Sequence, residues 1–370
     1  MTLQFGVFDH IEHMEGVPLE QLYRERLDQV ARLDRAGFYA YHLAEHHSPS
    51  LHSMAPAQNV FLAAAAERTK QLRLGGCVYT LPFHHPVRLI EELSMLDHMS
   101  GGRLEIGVGR GGELEAYYWG MGGEPEIESL KREVRGRYEE SLEILMAGFT
   151  QPRINYAGRY YRFHEMPMRL RPLQQPYPPM WYMRNVETAA RHGMNALLVG
   201  GLHRLAAEVE RYHGLWEQHQ GPGFLTAQGT EPKVGAVVYM VVAPTDEEAV
   251  DRAGPAWEQF VWNLRVPRRQ EAEAHGLGSL VATGAAGFGS GTRPGFADAA
   301  AEDATLGPRT GRVGGTIAGS PDTICRFIEE YQQTGANYLV LALQFGSITH
   351  PEAMRSIDLL DREVLPHFRG

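Results

Sequence analysis

Short apolar runs alternate along this chain with longer segments whose apolar residues recur every three or four positions. The runs Leu3–Phe8, Phe38–Leu43, Leu72–Leu81, Leu104–Val108, Met180–Met183, Ala196–Val199, Val234–Val242 and Tyr338–Leu343 predict eight strands. Helical spacing marks Pro18–Ala36, Ala57–Arg68, His85–Met99, Ser129–Ala147, Val186–His192, Leu202–His219, Asp246–Arg265 and Asp322–Thr334, and a terminal helix spans Pro351–Phe368. The strands are apolar on both faces, which requires cover on both sides, so the repeated strand–helix order predicts a single-domain parallel (β/α)8 TIM barrel with insertions over residues 1–370. A doubly wound open sheet is the alternative.

Two stretches interrupt the alternation. Residues 152–179 contain a hairpin signal around Ala157-Gly158 and then a proline-rich crossing. Residues 266–319 are dense in Gly, Ala and Ser and show little periodicity, which predicts a long lid-like insertion, with Leu280, Val281, Phe288 and Phe296 as its apolar cover.

Composition narrows the class. The 370 residues are 43% hydrophobic, enough for one large core. The formal charge of −10 comes without a concentrated Lys/Arg stripe, which argues against a nucleic-acid partner. No 18-residue apolar run and no signal-like N-terminus are present, which points to a cytoplasmic protein without a membrane span. Cys77 and Cys325 are read as free thiols.

In a parallel barrel, chemistry gathers at the C-terminal ends of the strands. After the second strand come Glu45, His46 and His47. His42 to His47 also fits a zinc-peptidase spacing, but Phe38–Tyr41 are strand formers and Pro49 follows closely, leaving no room for the helix that motif needs. A histidine at the mouth suits acid–base work near neutral pH; a structural histidine fits the same place. After the fourth strand, Gly107-Val108-Gly109-Arg110-Gly111-Gly112 satisfies a dinucleotide fingerprint, yet the glycines and proline of residues 113–127 break the helix that should follow. Met183, Arg184 and Asn185 end the fifth strand at a helix start, a position suited to phosphate or simply to a capped helix. Phe8, Tyr79, Tyr117, Tyr118, Trp119 and Trp181 either line an apolar substrate pocket or pack the core. His84-His85 lacks a carboxylate or cysteine at ligand spacing, so no metal site is expected.

Glu45-His46-His47, the Leu81-Pro82 to Arg88 segment, LDHMSGGR running into GVGRG, and GSPDTICRFIEEYQQTGANYLVL together resemble the bacterial-luciferase-like flavin monooxygenases over nearly the whole chain. The resemblance implies a TIM barrel that binds reduced FMN non-covalently and reacts it with O2 through a C4a-peroxyflavin to oxygenate a small, largely apolar organic substrate. It makes His46 the active-site acid/base and Arg110 a ligand of the flavin phosphate, with Gly109 leaving room for the isoalloxazine ring. It places a non-proline cis peptide beneath the flavin, at Cys77-Val78. Met183, Arg184 and Asn185 stand where the family commonly has small hydroxyl residues for the phosphate. A separate NAD(P)H-dependent flavin reductase and a homodimer or related oligomer are implied as well. F420-dependent hydride transfer on the same barrel is the alternative, and a non-enzymatic flavin-binding accessory subunit a second one.

Overall fold

The computed structural model describes residues 3–47, 52–122, 126–199, 202–219, 231–284 and 312–369. Eight parallel strands close into a barrel: β1 (Gln4–Asp9), β2 (Ala40–Leu43), β3 (Arg73–Thr80), β4 (Leu104–Gly109), β7 (Met180–Met183), β8 (Asn195–Val199), β9 (Val234–Val242) and β12 (Tyr338–Ala342). The seam is the pairing of Gln4 with Tyr338 and of Val7 with Leu341. All eight fall on the expected apolar runs, with ends shifted by at most two residues. The open-sheet alternative is excluded, because β8 pairs with β9 and β9 with β12.

Helices α1 (Leu19–Arg35), α2 (Gln58–Arg68), α3 (Pro86–Met99), α4 (Glu113–Tyr118), α5 (Ile127–Thr150), α6 (Val186–His192), α7 (Leu205–Gln218), α8 (Asp246–Ala274), α9 (Gly278–Gly284), α10 (Pro321–Gln332) and α11 (His350–Leu359) surround the sheet. The expected hairpin is β5 (Arg153–Ala157) against β6 (Arg162–Pro167), antiparallel. Its turn is fixed by Glu140 of α5, whose carboxylate accepts from the N–H groups of Arg159, Tyr160 and Tyr161.

The two ends of the stretch 266–319 are regular where little periodicity was expected, and residues 285–311 lie outside the described residues. Helix α8 runs on to Ala274 through both Pro255 and Pro267. Tertiary contacts outweigh the lost helical hydrogen bond: beyond Pro267, Arg268 ion-pairs with Glu115 at 2.7 Å, and Ala272 is buried with Leu114, Leu277, Leu280 and Val281. At the far end, β10 (Arg312–Val313) turns into β11 (Thr316–Gly319), which pairs parallel with the upper half of β9. Phe288 and Phe296 lie outside the described residues.

Apolar side chains form one large layer between the sheet and its helices and a second cluster that fills the barrel, including Phe8, Cys77, Trp181, Tyr239 and Tyr338. A third joins α4, the start of α5, the end of α8 and α9 beside the mouth. Deep in the barrel the packing is polar as well: the buried Glu105 carboxylate accepts from Tyr39 Oη at 2.5 Å, Arg73 Nε at 2.6 Å and the Trp181 indole.

Candidate active site

At the end of β1 the buried Asp9 shapes the chain. Its carboxylate lies 2.9 Å from Arg26 Nε, accepts from Tyr41 Oη at 2.8 Å and accepts from the Ile11 N–H at 2.8 Å. Ile11 is held at φ 50°, and its neighbours His10 and Glu12 are carried to the mouth. The His10 ring meets Phe8 edge-on at 4.8 Å. Glu12 is buried; its Oε2 accepts from Asn263 Nδ2 at 2.9 Å, while Oε1 has no hydrogen-bond partner among the described residues. Burial, only partly offset by those hydrogen bonds, pushes the carboxyl up to about 7.

At the end of β2, side chains diverge. Glu45 turns inward and is buried, accepting from His47 Nε2 at 3.0 Å, from His84 Nε2 at 2.9 Å and from the Thr80 hydroxyl. Burial would raise its pKa, but the hydrogen bonds from the two imidazoles prevail and hold it below the usual carboxylate value. His46 is half-buried and packs with two other histidines. Its ring stands 5.6 Å from that of His10 and 5.0 Å from that of His52, and His10 and His52 lie 3.9 Å apart. Burial, followed by the charges of Arg268 and Arg184, drops the His46 pKa to about 3, so the ring is neutral.

The Cys77-Val78 peptide is cis, at a shift of register in the β3–β4 pairing between Gly76 and Tyr79. Beside it, a Cβ on Gly107 would meet Gly76 O at 2.8 Å and Cys77 Cα at 2.9 Å, and one on Gly109 would collide with the Val78 side chain. The glycines of β4 therefore make room for the bent strand itself, which in turn leaves Val78 half-buried at the mouth. Cys77 is buried in the barrel interior.

Arg110 is exposed at the rim, near the buried Tyr138. Arg184, at φ 71°, is accessible to solvent yet surrounded by enough protein that desolvation lowers its pKa. Its charge acts on His10, His46 and His52, so it serves the centre of the mouth. Met183 is half-buried beneath it. Asn185 caps α6, accepting from the Thr188 N–H at 2.9 Å, the simpler of its two readings.

Not every expected residue gathers here. Tyr79 does not line a pocket: it packs in the layer outside the barrel and donates to Asn59 Oδ1 at 2.7 Å, because the shift of register turns it toward α2. Trp119 lies at the rim with its ring 4.8 Å from that of His47, and Tyr117 packs on the cluster formed by α4 and α9. Phe8 is buried in the barrel cluster, edge-on to His10. His10, Glu12, His52 and Arg268 were not expected. His10 carries the same signal as His46, a histidine just past an apolar strand, whereas His52 sits in a connection with no local pattern.

A closed parallel barrel with titratable groups and a distorted strand at its C-terminal face defines a TIM-barrel enzyme scaffold. The sequence matches the luciferase-like monooxygenases over residues 3–338, and the chain belongs to that family. It is 29% identical over 263 residues to the oxygenase component of a flavin-dependent trigonelline monooxygenase from Acinetobacter baylyi, covering 67% of each chain. It is 26% identical to limonene 1,2-monooxygenase of Rhodococcus erythropolis, over 100% of this chain and 87% of that one. An F420-dependent glucose-6-phosphate dehydrogenase of Intrasporangium calvum is 32% identical over 158 residues, covering 42% of this chain and 46% of its own. The crystal structure of monooxygenase RslO1 from Streptomyces bottropensis superimposes with a TM-score of 0.76 over 99% of this chain and 100% of that one, at 23% identity. No helix among the described residues is long and apolar enough to cross a membrane.

Proposed function

We propose that this protein is the oxygenase component of a two-component monooxygenase that uses reduced FMN and O2 on a small organic substrate. The observation that carries the reading is the meeting of His46 with His10 and His52 past the C-terminal ends of adjacent strands in a closed parallel barrel. Family membership and the flavin-dependent relatives support it. Reduced FMN supplies the electrons that activate oxygen. The chain's own residues do the rest: Val78 and Gly109 form the surface against which a flat ring rests, and Arg110 at the rim engages the phosphate. His46, neutral and half-buried beside His10 and His52, accepts a proton at an imidazole nitrogen. Electrons reach the flavin from a separate NAD(P)H-dependent reductase.

F420-dependent hydride transfer is the second reading, favoured by the F420-dependent relative. The test supplies the protein with an unrelated flavin reductase, NADH, FMN and 18O2, and screens organic substrates for label. Label in a product, lost in His46→Ala while reduced-FMN binding is kept, supports the proposal. Hydride transfer from reduced F420 without oxygen consumption would replace it.

A further inference from the structure

The three imidazoles in the mouth come from separate places: His10 after β1, His46 after β2 and His52 from the connection leading to α2. One nitrogen of each lies within 4.8 Å of the others. Two occupants fit such a trio, a metal ion or an anion. Ligand nitrogens around tetrahedral zinc stand about 3.4 Å apart, as Zn–N bonds near 2 Å require. A spacing of that size falls inside the 4.8 Å bound, so the charges around the trio decide between the two. A divalent ion would also sit beside the Arg184 guanidinium, which already acts on all three rings.

The charges around the trio favour the anion. His10 faces His46 and Arg184; His52 faces His10, His46 and Arg184; His46 faces Arg268, Arg184, Glu45 and His47. The single carboxylate in these sets, Glu45, is engaged with Thr80, His47 and His84. Next to the imidazoles the wall is aromatic: Phe260 lies 5.1 Å from His52 and 4.5 Å from Tyr239, and Phe8 flanks His10.

We propose that His10, His46, His52 and Arg184 form a subsite for the carboxylate of an organic substrate, approached from the side of the half-buried His46 and the exposed Arg184, since His10, His52, Phe8 and Phe260 are buried. This takes the occupant to be the substrate of the oxygenase proposed above. An anion placed there is held by the Arg184 guanidinium and by N–H groups of imidazoles that stay neutral at pH 7, because burial depresses all three.

The test uses the flavin-free protein, so a failure of the flavin reading leaves it intact. Acetate, octanoate and benzoate, each paired with its uncharged amide, are titrated calorimetrically at pH 7 in Tris and in Bis-Tris, cationic buffers of different ionisation enthalpy. The proposal expects at least one carboxylate to bind roughly tenfold to a hundredfold more tightly than its amide, with binding enthalpies that agree between the two buffers. Arg184→Met should abolish that preference and Arg184→Lys restore part of it. Equal binding of acid and amide, or no carboxylate binding, would overturn the proposal. So would saturable Co2+ binding with ligand-field bands that disappear in His52→Ala, which would assign the trio to a metal.

Discussion

Glu45 and His84, thirty-nine positions apart, meet at 2.9 Å beneath the mouth and tie the end of β2 to the loop after β3. Burial lowers the His84 pKa, but Glu45 outweighs it and raises the imidazole above its ordinary 6.5. A raised histidine stabilises the fold below 6.5 and loses that contribution as pH rises through the folded value. Glu45→Gln should therefore cost about 1–3 kcal/mol at pH 6 and less at pH 8.5. Urea midpoints at the two pH values measure this, and the His84 NMR titration should move below its wild-type value.

Gly107→Ala tests the packing that accommodates the bent strand. The added methyl meets backbone on both Gly76 and Cys77, so relief requires the strand to shift, and a loss of about 1–3 kcal/mol is expected. Gly214 in α7 has open space around it, and Gly214→Ala should be neutral or up to about 1 kcal/mol stabilising. Thermal unfolding of the two variants should shift in opposite directions or by clearly unequal amounts.

Tyr79→Phe removes the hydrogen bond to Asn59 and nothing in the mouth. Stability should fall by about 0.5–1.5 kcal/mol with substrate KM unchanged. A raised KM at unchanged kcat would put the ring back in the substrate pocket.

The barrel was legible because its strands are short apolar runs set between amphipathic helices. β11 was not: four residues, Thr316–Gly319, at the end of a glycine-rich stretch carry too little pattern, and their pairing with β9 is a tertiary choice. The continuation of α8 past Pro267 was hidden for a similar reason, since the Arg268–Glu115 pair joins residues 153 positions apart. Cys77-Val78 came from likeness to a family and lies where that likeness put it. His46 could be chosen by its place after a strand, but the trio it forms with His10 and His52 exists only once neighbouring strand ends are brought together.

Acid should destabilise the protein through that trio. Burial leads the causes that depress all three pKa values, that of His46 from 6.5 to about 3. Below 6.5 the unfolded chain takes up protons that the folded chain does not, so stability present above 6.5 is lost on acidification toward 3. Glu12 has the opposite sign: raised from 4.5 to about 7, it favours the fold below 4.5 and ceases to as pH rises through 7. Urea midpoints across pH 4 to 8 should show a shallower acid limb in His52→Gln and a shallower neutral limb in Glu12→Gln.

The most direct test of the central claim is an anaerobic titration of the flavin-free protein with reduced FMN and, separately, with reduced F420, followed by fluorescence. The oxygenase reading predicts that reduced FMN binds much more tightly than F420. It also predicts that Arg110→Ala weakens FMN by roughly tenfold to a hundredfold through lost charge-assisted hydrogen bonds to the phosphate. Tight binding of reduced F420 with no measurable affinity for reduced FMN would contradict it.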